Sequence, residues 1–134
     1  MKLNNVNLDN LKKFEEEINK DPAKAKTTQV ITGEWNPADS KVQFKSDIQY
    51  EKGSAVFEVD NPSFMGGEGN LPGPMHYCFY GLASCYTGVF ATMASMLGLE
   101  IKKLTARVEA DVNFSKVFGL ADQPIMEEVR VSLD

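Results

Sequence analysis

The sequence predicts a mixed α+β protein in which an antiparallel sheet packs on one long apolar helix. Residues 69–99 contain no Lys, Arg, Asp or Glu, although 25% of the 134 residues are charged. Several other segments alternate apolar and polar residues with a period of two, which is typical of strands with one wet face. Each strand has a single apolar side, whereas the uncharged segment is apolar all round. We therefore expect the strands to cover that helix.

The first element is a short amphipathic helix, predicted over 9–21. Asp9 is the expected N-cap, and Pro22 ends the helix. Its apolar side chains recur at helical spacing: Leu8, Leu11, Phe14 and Ile18. We expect this helix to pack against the rest of the protein and to carry no chemistry.

Three strands are predicted next, over 29–35, 41–50 and 54–60. The second and third each place apolar residues on one face: Val42, Phe44, Ile48 and Tyr50, then Ala55, Phe57 and Val59. Turn signals at Asn36-Pro37 and at Glu51-Lys52-Gly53 separate the three runs. Such tight connections favour an antiparallel meander.

The uncharged segment is predicted to form the core helix over 74–98, from Pro74 to the stop signal at Gly98. A strand follows over 101–114, with strict period-two alternation from Leu104 to Phe114. The last strand is predicted over 126–133. Together these elements predict one domain over 1–134.

Residues 77–99 are long enough to span a bilayer, so a membrane helix is an alternative. We set it aside because the segment contains hydroxyl residues and three glycines, and because the flanking strands need an apolar partner. The net charge of −5 and pI of about 4.9 exclude a nucleic-acid partner. Two cysteines without a disulfide framework indicate a cytoplasmic protein. One histidine and two cysteines do not make a zinc site, so no metal and no cofactor are predicted.

One face of the core helix carries a stripe of small residues: Gly81, Ser84, Gly88, Ala91 and Ser95. Such a stripe lets another helix approach closely. Because the chain offers no second helix of this length, we expect the same helix from a second copy, in a symmetric homodimer.

Cys78 and Cys85 are seven residues apart on this helix. That spacing separates their Cα atoms by about 10 Å, too far for a disulfide. Each is either a small buried packing residue or a reactive thiol, and a reactive thiol needs a cation or a helix N-terminus. Cys85 lies too deep in the helix to gain much from the dipole, so its activation must come from other elements.

The only histidine, His76, is nine residues from Cys85 and two from Cys78. It shares a face with neither, so we expect a capping or interface role for it rather than catalysis. The loop over 66–70 resembles an anion cradle but lacks the P-loop lysine. Phosphate binding is therefore not predicted.

Pro74 is followed eleven residues later by Cys85, within the stretch PMHYCFYGLASCYTGVFATMASMLGLEIKKL. This pattern resembles the signature of the OsmC/Ohr family. The signature has a proline that opens a long helix, a Leu-Ala-Ser-Cys-like run within the helix, and then Gly-Leu-Glu-Ile leading into a strand. The later stretches VEADVNFSKVFGL and Met126–Leu133 are similar to a strand-loop-strand of the same family. The resemblance covers roughly residues 41–134.

The resemblance implies an intertwined homodimer of two-layer α+β subunits with the long helices buried between sheets. It also implies a thiol-dependent peroxidase that reduces small organic hydroperoxides in the oxidative-stress response. Cys85 matches the peroxidatic cysteine, which attacks the peroxide as a thiolate. In the family an Arg and a Glu activate that cysteine, and a second cysteine resolves it.

The chain departs from the family pattern in three places. Met75 and His76 stand where the family has its Glu, and together with Cys78 they are candidate substrate-binding residues. No Arg precedes Arg107, so Lys41 or Lys45 is the candidate activating cation.

The third departure is that no cysteine follows Cys85, and the family's further helix and strand are missing, so we expect either a shorter relative or a truncated form. Two functions follow from the three departures. The first is a one-cysteine peroxidase served by an external dithiol. The alternative is a non-catalytic dimer that binds an apolar small molecule or has a structural role.

Overall fold

The computed structural model describes all 134 residues, Met1–Asp134, which divide into two compact units. The first unit comprises Met1–Asp21 and Phe79–Asp134, and the second comprises Pro22–Cys78. The elements follow in the order β1 (Lys2–Leu3), β2 (Val6–Asn7), α1 (Leu8–Lys20), β3 (Glu34–Trp35), β4 (Phe44–Tyr50), β5 (Gly53–Val59), α2 (Pro74–Met96), β6 (Ala106–Val112) and β7 (Met126–Leu133). Two short 3₁₀ turns lie at Pro22–Ala25 and Ser63–Met65. The protein is therefore of the mixed α+β class, with small antiparallel sheets.

The second unit is built on an antiparallel sheet of strand order β3-β4-β5. The register pairs Ser46 with Phe57 and Ile48 with Ala55, so the apolar residues of β4 and β5 share one face. Tyr77, in the first turn of α2, packs edge-on against Phe57 with ring centroids 5.6 Å apart. Its hydroxyl also donates a 2.7 Å hydrogen bond to the Glu58 carbonyl. The start of α2 is thus fixed to the apolar face of this sheet.

The strand expected over 29–35 is present only as Glu34–Trp35. Ser46 Oγ donates to the Thr32 carbonyl at 2.7 Å, so a side chain takes the place of the next ladder bond. The Phe44 ring covers Gly33 so closely that a Cβ there would overlap Phe44 Cζ. These two contacts end the ladder at Glu34, and the side chains of Val30 and Ile31 are exposed.

The first unit begins with a two-residue hairpin between β1 and β2. Asn4 and Asn5 at its tip have φ of 51° and 63°, the left-handed geometry that asparagine tolerates best after glycine. Asn7 then caps α1, because its side-chain oxygen accepts from the amides of Asp9 and Asn10. The expectation that Asp9 is the N-cap was wrong. Asp9 lies in the first turn, where its charge favours the helix dipole.

The first unit ends with the antiparallel hairpin β6–β7, which has a bulge between Asp111 and Val112. The strand expected over 101–114 begins only at Ala106. Thr105 exchanges two hydrogen bonds with Asp134, which continues the β6–β7 register by one pair. Further back, Ile101 N–H donates to the Asn4 side chain. On the hairpin, Arg130 forms ion pairs with Glu109, Asp111 and Glu128.

Few side chains are buried in either unit. In the first unit only Ala94 and Ser95 are buried, both on α2 near its C-terminal end. Most of the large apolar residues of this helix in the first unit are exposed instead: Tyr80, Tyr86, Val89, Phe90, Met93 and Met96. The expected burial of α2 is therefore not present within a single chain. No helix in this structure combines the length and apolar character that crossing a membrane requires.

Candidate functional site

Cys85 lies near the middle of α2, in the first unit, and its side chain is exposed. Its neighbours one turn away on the helix are Gly81 and Gly88, four residues before and three after. A Cβ built at either glycine would meet nothing within 4 Å apart from the adjoining residues and the backbone of α2 itself. The thiol therefore lies between two stretches of bare helix backbone, with open space on both sides.

Cys85 Sγ makes no hydrogen bond and sits in no disulfide within the chain. The hydroxyl groups of Ser84 and Thr87 donate their hydrogen bonds to carbonyls of the same helix. Ser84 Oγ donates to the Gly81 carbonyl at 3.0 Å, and Thr87 Oγ1 donates to the Ala83 carbonyl at 2.9 Å. Nothing in the single chain thus donates a proton to this sulfur or orients it.

The two candidate activating lysines lie in the second unit, whereas Cys85 lies in the first. Lys45, on β4, stands opposite Glu34 on one neighbouring strand and Glu58 on the other. Lys41 is exposed in the segment before β4 and borders a cavity of about 570 Å³ that also contacts Asp39, Asp60 and Glu68. The structure places both lysines among carboxylates and brings neither into the unit of Cys85.

The candidate substrate-binding residues Met75, His76 and Cys78 lie in the first turns of α2, in the second unit. His76 Nδ1 accepts a 3.0 Å hydrogen bond from the backbone N–H of Gly73, the residue before the helix. Because Nδ1 accepts this bond, the ring proton of the imidazole lies on Nε2. The bond links the His76 side chain to the backbone at the start of the helix. Cys78 is exposed and, like Cys85, a free thiol.

The buried carboxylate of Asp60 was not found from the sequence. It accepts hydrogen bonds from the backbone amides of Glu68 and Asn70, at 3.3 and 2.8 Å. The amide of Asn70 lowers the pKa of Asp60 most, against a smaller opposite effect of burial. The loop over 66–70 thus wraps a carboxylate of this chain, so the amides of Glu68 and Asn70 already have an acceptor.

The charged side chains on the β6–β7 hairpin also have their hydrogen-bond partners within the chain. Hydrogen bonds from Arg107 and then Arg130 lower the pKa of Glu109, and Arg130 lowers that of Asp111. Five charged side chains, those of Arg107, Glu109, Asp111, Glu128 and Arg130, pair with one another on the hairpin. This arrangement is a stabilising network and not a binding site.

A groove beside Cys85 was also missed by the sequence reasoning. This groove, which we call the α2 groove, has a volume of about 380 Å³ and lies wholly in the first unit. Its lining residues are Asn4, Ser84, Thr87, Gly88, Ala91 and Ile101–Leu104. Part of the small-residue stripe of α2 forms its floor. The C-terminal end of that stripe is covered by the chain's own hairpin, since Ser95 Oγ donates to the Leu3 carbonyl.

Comparison with known proteins identifies the family. A family model described as OsmC-like protein matches residues 67–134, just over half of the chain. The match includes Cys85 and the whole of α2, β6 and β7, whereas α1 and β1–β5 lie outside it. No curated protein matches the chain. That residues 1–134 form a single domain stays a prediction. The family resemblance is confirmed, and the chain belongs to the OsmC-like protein family.

Proposed function

We propose that this protein is a thiol-dependent hydroperoxide reductase in which Cys85 is the peroxidatic thiol. The observation that carries the proposal is the exposed position of Cys85 between Gly81 and Gly88, inside the residues that match the family. The sulfur attacks one oxygen of the peroxide in line with the O–O bond that breaks, so the peroxide must approach Cys85 end-on. The bare backbone on both sides of Cys85 leaves room for that approach.

The chemistry uses the thiolate of Cys85 as the nucleophile. It attacks one peroxide oxygen, the O–O bond breaks, and the second oxygen leaves as an alkoxide that takes up a proton. The products are the alcohol and Cys85 sulfenic acid, the first step of thiol oxidation. The peroxide is reduced by two electrons and the cysteine is oxidised by two.

The return step needs a thiol from outside the chain. Cys78 is the only other cysteine, and its position seven residues earlier on the same helix puts it about 10 Å away, beyond disulfide reach. An external dithiol therefore condenses with the sulfenic acid, releases water, and then reduces the mixed disulfide. We further propose a cytoplasmic setting, where such thiols are kept reduced.

A homodimer is part of this proposal. The apolar residues exposed along α2 form a surface far larger than the patches that monomeric proteins normally leave in water. A second copy packed on α2 would cover this surface. It would also bring other side chains towards Cys85, and we propose that the activating cation, Lys41 or Lys45, acts in that assembly.

The test is consumption of cumene hydroperoxide with dithiothreitol as reductant. The wild-type protein is expected to consume peroxide, and Cys85→Ser is expected to reduce the rate to that of the reductant alone. Cys78→Ser is the matched variant, because it removes the other free thiol from the same helix and assigns the reaction to Cys85. Equal inactivity of the wild-type protein and Cys85→Ser would refute the proposal.

One observation favours a second function, a non-catalytic dimer that binds an apolar small molecule or has a structural role. The sulfur of Cys85 has no hydrogen-bond partner in the single chain. A catalytic thiolate needs such a partner. Alkylation of Cys85 by iodoacetamide at pH 7 separates the two functions: a rate no higher than that of a free thiol, together with no peroxide consumption, favours the non-catalytic dimer.

A further inference from the structure

We propose that the N-terminal helix α1 is a dimer contact, in which α1 of one copy packs antiparallel on α1 of a second copy. This inference rests on the homodimer of the function proposed above and adds a contact that lies outside the residues matching the family. It is carried by an open apolar groove on α1, by the surface area that the single chain leaves exposed, and by two charges beside the groove.

One side of α1 is apolar and stays open in the single chain. Leu8, Leu11, Phe14 and Ile18 line a groove of about 580 Å³ on this side, which we call the α1 groove. No residue of α1 is buried, and Phe14 is 50% exposed. Because short helices in proteins are stabilised mainly by packing of their apolar side, we expect a partner to cover this groove.

The α1 groove continues the exposed apolar side of α2. Met96, in the last turn of α2, also lines the α1 groove, and both helices contribute to it within the first unit. Met96 is exposed and lies within about 60° of Val89 and Met93 around α2. A second copy that covers this side of α2 therefore also reaches the α1 groove.

The accessible surface of the chain indicates how much area a partner covers. The chain exposes 10589 Å². Two compact domains that divide its mass of 14.9 kDa between them would expose only about 8,500 Å² in total. The excess of about 2,000 Å² per copy is in the range that obligate homodimers bury. The six exposed apolar side chains of α2 supply about 600 Å² at about 100 Å² each, so the interface extends beyond α2.

The α1 groove also carries one cation and one anion in its lining. Lys12 and Glu15 lie one turn apart, and neither forms an ion pair in the chain. In an antiparallel pair of identical helices related by a two-fold axis, the same side of both helices meets with the residue order reversed. Lys12 of each copy then faces Glu15 of the partner subunit, whereas a parallel pair would place like charges together. The charge pattern is thus complementary to itself, which favours a second copy of α1 as the occupant.

The test reverses these charges and measures the dissociation constant of the dimer by sedimentation velocity. Lys12→Glu places glutamates opposite each other, and Glu15→Lys places lysines opposite each other. Each variant alone is therefore expected to dimerise about tenfold more weakly than the wild-type protein. An equimolar mixture of the two variants is expected to recover the wild-type affinity, because the heterodimer pairs the glutamates of one copy with the lysines of the other. The two charges within each variant helix remain alike, so recovery on mixing assigns the effect to contact between copies.

Lys13→Glu is the matched control, because it makes the same charge change on α1 at a residue outside the groove lining and should leave the dissociation constant unchanged. A mixture that dimerises no better than the separate variants would overturn the α1 contact. If Phe90→Ala still weakens the dimer in that case, the homodimer stands and another molecule or segment occupies the α1 groove. A wild-type protein that is monomeric at every concentration would instead refute the homodimer itself, and the α1 contact with it.

Discussion

Truncation of Phe90 on α2 tests whether a second copy covers this helix. Phe90 is 48% exposed in the single chain. An aromatic side chain has an accessible area of about 200 Å², so about 100 Å² of Phe90 remains for a partner to cover. Phe90→Ala removes about 80 Å² of this area, worth about 2 kcal/mol per copy at about 25 cal/mol/Å².

Because a symmetric dimer contains the residue twice, the loss amounts to about 4 kcal/mol per dimer. Each 1.4 kcal/mol is a factor of about ten in affinity, so the dissociation constant of the dimer is expected to rise about a thousandfold. Sedimentation velocity over a concentration series from nanomolar to about 100 μM measures this shift. Circular dichroism on the same samples shows whether the monomer keeps its helices.

Phe118→Ala is the matched control. Phe118 is 61% exposed in the loop between β6 and β7, away from α2 in sequence, and the same truncation there should leave the dissociation constant unchanged. A wild-type protein that sediments as a monomer at all concentrations would refute the dimer. Equal shifts for Phe90→Ala and Phe118→Ala would show that the loss is not specific to α2.

Two further predictions concern the contacts that frame the site. The lowered pKa of Asp60 stabilises the folded state at pH values above its ordinary pKa near 3.8, and this contribution is lost as the pH falls through the lower folded-state pKa. Urea midpoints between pH 7 and pH 2.5 should therefore converge for the wild-type protein and Asp60→Asn at the acid end, and a constant difference would contradict the assignment. Asn4→Ala removes three hydrogen bonds, so Ile101 N–H and the buried Ser95 lose a partner each. We therefore expect the free energy of unfolding to fall by about 2 kcal/mol. Chemical denaturation measures that loss, and Asn10→Ala, which changes an exposed side chain on α1, is its control.

The elements that sequence could identify are those encoded by local periodicity. The period-two run ending at Phe114 indicates the strand β6, and the uncharged run from Pro74 indicates the helix α2. Their bounds were harder to predict, because they depend on distant partners. Ile101, which the alternation placed in this strand, instead bonds to Asn4, 97 residues away in sequence.

The same limit applies to the site. The family pattern pointed to Cys85, but the α2 groove depends on contacts between the N-terminal hairpin and the end of α2. The carboxylate of Asp60 and the loop that wraps it are ten residues apart, and nothing in residue type alone pairs them. The signal available in the sequence was position: an aspartate at the end of a predicted strand, shortly before a glycine-rich loop.

The proposed dimer and the proposed peroxidase activity constrain each other on α2. A second copy that covers the exposed face of the helix also removes water from around Cys85. Burying a thiolate without a neighbouring cation costs free energy and therefore favours the neutral thiol. A dimer that only buried this face would thus make Cys85 unreactive. An active dimer must therefore bring a lysine to Cys85 and at the same time leave one side of the helix open to thiols. Loss of peroxide consumption in Phe90→Ala, which keeps Cys85 but weakens the dimer, is therefore the expected outcome, and full activity of a monomeric variant would contradict it.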